Sequence, residues 1–181
     1  MIRALFLLFG LTLAACSAPP APQAGGDQIS SLTRAFMALS PEVDADEAAR
    51  AARIAYDYPL QLRAEYGVTD PPLVHNAKVN AGLRPRGLCW HWADDLQARF
   101  VQEGFQTLDL HRAIANGDSR LLIDHSTVIV SAKGAAWDEG IVTDPWRYGG
   151  RLFWDEVQDD TRYDWVLRQQ VFAEKRARRG L

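Results

Sequence analysis

One cysteine stands where a turn runs into a predicted helix, and its surroundings make it the best candidate for chemistry. Pro85-Arg86-Gly87 is a turn signal, so Cys89 is predicted to lie in the first turn of the helix that follows. The helix dipole favours an anion at this end, and the thiolate is the nucleophilic form of cysteine. The position of Cys89 therefore predicts a reactive thiol.

Two later stretches supply the partners that a nucleophilic cysteine needs. Residues 123–130 are rich in β-branched side chains and predict a strand that carries His125. Residues 140–146 predict a short strand that ends at Asp144, because Pro145 cannot continue the hydrogen-bonded ladder. A base and an orienting carboxylate on separate strands can be brought to the cysteine by the fold.

These residues resemble the transglutaminase-like branch of the papain-like cysteine enzymes. The resemblance covers roughly residues 87–154 and consists of Gly-x-Cys-Trp-x-aromatic, then a histidine on a strand, then Asp-Pro at a strand end. It implies that Cys89 is the nucleophile, His125 the base and Asp144 the orienting acid. Two departures concern the substrate: His125 lacks the Gly-His-Ala-Trp surroundings of many members, and Trp146 stands where threonine often follows Asp-Pro.

The order of predicted helices and strands around this triad indicates an α+β fold, and the resemblance implies that it is of the papain-like, transglutaminase-like type. Helices are predicted first, over residues 29–39, over 45–56 with an end or interruption at Tyr58-Pro59, and over 73–83. The cysteine helix follows, with an apolar stripe that would dock it on an antiparallel sheet of about four strands: Leu88, Trp92, Leu96 and Phe100. The strands are predicted near residues 105–113, 123–130, 140–144 and 151–154, and a helix over 163–179 ends in a basic run.

Other histidines and a metal site are the alternatives to this triad. His91 lies two residues after Cys89 on another face of the same helix, so it is expected to pack or to face solvent. His111 competes with His125 as the base if its strand is the neighbour of the cysteine helix. No Cys-x-x-Cys or His-x-x-x-His pair is present, which argues against zinc, and no cofactor is predicted.

The segment before the cysteine turn contains two asparagines whose side-chain amides could belong to an oxyanion-binding site. An amide just upstream of the nucleophile can donate to a developing oxyanion. Asn76 and Asn80 do not have the spacing of the glutamine that serves in papain-like enzymes, and helix capping or a turn is the simpler interpretation. We therefore leave both out of the predicted site.

The first residues of the chain read as a bacterial lipoprotein leader. The apolar run 4–15 is shorter than the roughly 20 residues that a membrane-spanning helix needs. It ends in Leu13-Ala14-Ala15-Cys16, which resembles a lipobox and implies cleavage before Cys16 and lipidation of its sulfur. We predict a signal peptide over 1–15, a flexible Pro- and Gly-rich tether over 16–28 and one transglutaminase-like domain over 29–181.

Composition and charge limit the function further. A hydrophobic content of 48% and a charged content of 24% suit a globular domain, and a net charge of −3 argues against a nucleic-acid partner. Ser17 after the lipidated cysteine resembles lipoproteins sorted to the inner face of an outer membrane. Cys89 then has no cysteine partner in the mature chain, which argues against a redox pair.

The leading hypothesis is a lipid-anchored periplasmic cysteine enzyme that acts on amide bonds of a protein or peptide. Peptidase, amidase and transglutaminase activity all remain open at this stage, because water or an amine can accept the acyl group. The alternative is a binding or scaffolding lipoprotein that keeps the fold without turnover.

Replacement of Cys16 tests the predicted anchor. Cys16→Ser removes the acylated sulfur, so we expect the protein to move from the membrane fraction to the soluble fraction of fractionated cells. Persistent membrane attachment would show that the lipobox interpretation is wrong, or that the basic C-terminal helix binds membranes by itself.

Overall fold

The computed structural model describes residues 25–180, and the predicted signal peptide, Cys16 and most of the predicted tether lie outside them. Five α-helices are found in this part of the chain: Gly26–Ala38 (α1), Ala45–Glu65 (α2), Pro72–Asn80 (α3), Cys89–Val101 (α4) and Arg168–Arg178 (α5). The strands are Leu108–Ala115 (β1), His125–Ala132 (β2), Ile141–Tyr148 (β3), Arg151–Glu156 (β4) and Val166–Leu167 (β5). The last residues of the predicted tether, 26–28, belong to α1.

The strands form one antiparallel sheet in the order β4-β3-β2-β1-β5. β2 lies at its centre and is buried over its whole length. Its side chains alternate between two apolar layers, as the pleat requires. Val128 and Val130 pack with α1, α2 and α4, whereas Ile129 packs with Trp165 on the opposite face. The predicted α+β class, with helices first and a cysteine helix packed on an antiparallel sheet, is confirmed.

Helix α2 is longer than predicted. It begins at Asp44, whose side chain accepts the N–H of Glu47 at 2.9 Å, and it continues through Pro59 to Glu65. A proline inside a helix removes one backbone hydrogen bond. The apolar face continues beyond it, since Leu62 and Tyr66 pack against Trp92 of α4. This packing offsets the lost hydrogen bond, so residues 60–65 continue the same helix without the end or interruption predicted at Tyr58-Pro59.

Strand β3 also runs past the proline that was expected to stop it. Asp144 pairs with Phe153, Tyr148 pairs with Arg151, and the register shifts between these two pairs. The irregular stretch contains Pro145, which has no N–H to donate to a ladder. A bulge of this kind bends the strand and re-aims the side chains around it, so Asp144 lies inside a strand and not at its end.

The C-terminal segment differs from the prediction in two ways. Helix α5 begins at Arg168, because residues 163–167 form a loop and the two-residue strand β5 beside β1. β5 brings the sheet to five strands, one more than predicted. Trp165, in the loop, is buried in the apolar layer under the sheet. No helix within residues 25–180 is long and apolar enough to cross a membrane.

Candidate active site

Cys89 is the first residue of α4, and the turn before it has a conformation that requires glycine. Gly87 has a φ of 123°, and a Cβ built on it would lie 2.3 Å from Nε2 of His75. His75 is fully buried on α3 and its Nε2 donates to the carbonyl of Arg86 at 2.9 Å. Helix α3 therefore holds the turn directly against the start of the cysteine helix.

His91 fixes the same turn from the other side. Its Nδ1 accepts the backbone N–H groups of Gly87 and Leu88, both at 3.1 Å. Burial and the nearby charge of Arg86 lower the pKa of His91, which keeps Nδ1 free to accept. Trp92 adds a bond from its indole Nε1 to the carbonyl of Gly87 at 2.9 Å. His91 thus positions the nucleophile turn, in agreement with its exclusion as a base.

His125 opens strand β2 and is held by a carboxylate from β3. Its Nε2 lies 2.6 Å from Oδ2 of Asp144, and both side chains are buried. Three aromatic rings surround the imidazole, with centroids 4.7 Å (Trp146), 4.6 Å (Tyr163) and 5.3 Å (Trp165) away. This packing leaves the ring one orientation, with Nε2 toward Asp144 and Nδ1 away from it.

The imidazole of His125 is also close to the cysteine. Cys89 and His125 line one cavity. Burial opposes protonation of His125, but the charge and hydrogen bond of Asp144, with a further contribution from the nearby Cys89, outweigh it and raise its pKa to about 9. Nδ1 has no hydrogen-bond partner within residues 25–180, because the Cys89 thiol instead donates to the carbonyl of Asp124 at 3.3 Å. The thiol of Cys89 and the unpartnered Nδ1 of His125 thus belong to one site.

Arg147, which was not among the predicted site residues, pairs with the carboxylate of Asp144. Arg147 donates from Nε to Oδ2 of Asp144 at 3.0 Å and from its backbone N–H to Oδ1 at 3.2 Å. Burial raises the pKa of Asp144, but the charges and hydrogen bonds of His125 and Arg147 outweigh this and lower it overall. Asp144 is thus kept ionised although it is fully buried.

Arg147 is itself held by a second buried acid. Its two terminal nitrogens donate to Asp160 at 3.1 and 2.6 Å, and Asp160 also accepts the indole N–H of Trp165 at 3.0 Å. The guanidinium stacks on Phe153, with Cζ 3.6 Å from the ring centroid. The sequence contains one signal for this network: Arg147 follows the predicted acid, Asp144, by three residues. A bulge in the strand brings the two side chains into contact.

The structure separates the predicted triad from its competitors. Cys89, His125 and Asp144 come together, whereas His111 on β1 bonds to the hydroxyl of Ser131 at 2.8 Å and lines a different cavity, beside Arg112 and Arg168. The carboxylate of Asp124 pairs with Lys175 and not with His125. The thiol of Cys89 instead donates to the backbone carbonyl of Asp124, a group that no sequence pattern indicated.

The tryptophans near the triad have different roles. Trp92 is fully buried, Trp90 is half exposed beside the cysteine, and Trp146 lines the cavity that contains Cys89 and His125. Trp146 donates its indole N–H to the side-chain oxygen of Asn76 at 3.1 Å. Asn76, which was left out of the predicted site, is thus one hydrogen bond away from a residue that contacts the base.

The arrangement contains the groups that acyl transfer requires. A thiol at a helix N-terminus, an imidazole beside it and a carboxylate behind the imidazole can serve as nucleophile, acid–base group and orienting group. Within residues 25–180, no three His, Cys, Asp or Glu side chains are grouped to hold a metal ion. Comparison with known proteins found no protein-family profile, no curated protein and no solved structure that matches the chain.

Removal of the Arg147 side chain tests whether the carboxylate depends on it. Arg147→Met leaves Asp144 and Asp160 buried without their shared cation, so we expect the free energy of unfolding to fall by about 3–5 kcal/mol. Arg151→Met, an exposed change on the adjoining strand, should cost less than about 0.5 kcal/mol. Urea unfolding of both variants measures the difference, and equal small losses would contradict a structural role for Arg147.

Proposed function

We propose that this chain is a lipid-anchored periplasmic cysteine enzyme of the transglutaminase-like, papain-like type that acts on amide bonds of a protein or peptide. The observation that carries the proposal is the 2.6 Å contact between His125 and Asp144, with His125 in the same cavity as Cys89. The helix-on-sheet architecture and the order Cys, His, Asp along the chain support the proposal that the enzyme is of the transglutaminase-like type. Lipidation of Cys16 would hold the domain at the membrane, facing the periplasm.

The chemistry begins when the Cys89 thiol passes its proton to Nδ1 of His125 and the resulting thiolate attacks the carbonyl carbon of the amide. A carbon–sulfur bond forms, and the carbonyl oxygen takes up the negative charge. The backbone N–H groups of Cys89 and Trp90, at the start of α4, have no acceptor within the helix, and they can donate to this oxyanion. Protonated His125 then gives the Nδ1 proton to the leaving amine as the carbon–nitrogen bond breaks, which leaves a thioester on Cys89.

The second half of the reaction returns the enzyme to its starting state. Neutral His125 takes a proton from the acceptor, which attacks the thioester, and the thiolate of Cys89 leaves. Asp144 keeps Nε2 protonated throughout, so that Nδ1 is the nitrogen that exchanges the proton. Water as acceptor makes the protein a peptidase or amidase, and an amine acceptor makes it a transglutaminase.

A thiol-directed activity probe tests the triad. Labelling of Cys89 in the full chain should fall by about tenfold or more in His125→Ala and in Asp144→Asn, because the first removes the group that accepts the thiol proton and the second removes the charge that favours the protonated imidazole. Asp124→Asn and His111→Ala are the matched controls and should label like the wild type. Circular dichroism of each variant shows that it is folded.

Two results would contradict the proposal. Labelling that depends on His111 or Asp124 would mean that the base or the acid is misassigned. Labelling that no variant changes would mean that Cys89 is only an accessible thiol, and the protein would then be a binding or scaffolding lipoprotein.

A further inference from the structure

Two cavities meet at the thiol of Cys89. The larger, of about 400 Å³, lies on the side of His125 and Trp146, and the smaller, of about 200 Å³, lies on the side of α5 and β1. Cys89 and Asp124 line both. Cys89 thus borders both cavities, which we call the two arms of the cleft, and a substrate held in both would place its reacting bond at the thiol.

The arm on the His125 side is bordered by an exposed apolar loop. Leu121, Leu122 and Ile123 are consecutive and are 95%, 61% and 61% exposed, and Leu73 of α3 faces the same cavity with 61% exposure. Four exposed aliphatic side chains around one cavity form an apolar patch of the kind that marks a binding site. Their chemistry fits an aliphatic side chain of a substrate.

The arm on the other side is shaped by one face of α5. Arg168, Phe172 and Lys175 are spaced four and three residues apart, so they lie along the same side of the helix. Arg168 and Phe172 line the cavity that contains Cys89, and the Arg168 guanidinium lies 4.5 Å from the centroid of the Phe172 ring. Lys175 is paired with Asp124 beside the same cavity.

This second arm has more hydrogen-bond donors and positive charge than its own acids satisfy. Asp94 pairs with Arg112, and Asp124 pairs with Lys175, whereas Arg168 has no ion pair within residues 25–180. The Arg112 side chain is only 10% exposed, and its Nη2 is buried without an acceptor in the described part of the chain. A carboxylate in this arm would complement the charge of Arg168 and bring an acceptor next to Arg112.

We infer that the substrate is an internal segment of a polypeptide with an aliphatic side chain on one side of the reacting amide and an acidic side chain on the other. The inference rests on the proposed function for the reacting bond. The recognition itself depends only on the two arms of the cleft, so it can be tested without turnover.

Binding to an inactive variant is the first test. Fluorescein-labelled heptapeptides carry a leucine and an aspartate three residues apart in either order, and fluorescence anisotropy measures their binding to full-length Cys89→Ala in mild detergent. One of the two orders should bind at least about tenfold more tightly than peptides with leucine replaced by serine or aspartate replaced by asparagine. Equal binding of all the peptides would overturn the inference.

Variants of each arm then show which arm recognises the aspartate and which recognises the leucine. In the Cys89→Ala background, Arg168→Gln should remove the preference for aspartate over asparagine and keep that for leucine over serine, and Leu122→Ser should do the opposite. Arg53→Gln, an exposed arginine on α2, and Val101→Ser, an equally exposed apolar residue at the end of α4, are the controls and should change neither. Loss of both preferences in a control, or retention of both in the two arm variants, would contradict the assignment.

The wild type separates this inference from the proposed function. Cleavage or amine transfer on the peptides without sequence preference would support the enzyme and overturn the cleft assignment. Selective binding with no turnover by the wild type would support the cleft assignment and count against the enzyme.

Discussion

The buried contact between His125 and Asp144 is the interaction on which the rest of the site depends. A carboxylate that is fully removed from water is costly unless its charge is paired and its oxygens are hydrogen-bonded. Asp144 meets this condition through His125 on one side and Arg147 on the other, and Arg147 in turn requires Asp160. The bulge of β3 and the segment between β4 and β5 supply these groups. The contact that stabilises the buried carboxylate of Asp144 also favours the protonated form of His125 and orients its ring with Nε2 toward the carboxylate.

The two histidines closest to the nucleophile show how environment separates roles. His125 has its pKa raised by Asp144 and Cys89, against the effect of burial, whereas burial and Arg86 lower that of His91. A protonated imidazole can donate a proton to a leaving group, and a neutral one can accept the N–H groups of the turn before Cys89. In the proposed mechanism, these opposite pKa shifts divide proton transfer, at His125, from positioning of the turn before Cys89, at His91.

The sequence was most informative where local rules determine the structure. The turn at Gly87, the apolar stripe of α4 and the β-branched run around His125 correctly predicted a helix that begins at Cys89 and a strand that carries the histidine. Prediction failed where packing overrides local preference, as in α2 beyond Pro59 and in β3 beyond Pro145. It also failed for Asp160 and His75, because their partners are determined by tertiary contacts that no spacing along the chain reveals, and for Arg147, whose spacing from Asp144 is informative only once the bulge is known. The two-residue strand β5 was too short to give a pattern.

Direct titration of His125 tests the central claim. NMR of the full chain with ¹³C- and ¹⁵N-labelled histidine, assigned with His125→Ala, follows the imidazole from pH 5 to 10. A pKa raised above the ordinary value means that the ring stays protonated through neutral pH, so in the wild type His125 should lose its proton only near pH 9. In Asp144→Asn the loss should occur at markedly lower pH, because the main favourable charge is gone. Loss of the proton near pH 6.5 in the wild type, or the same titration in both proteins, would contradict an imidazolium held by Asp144 beside Cys89.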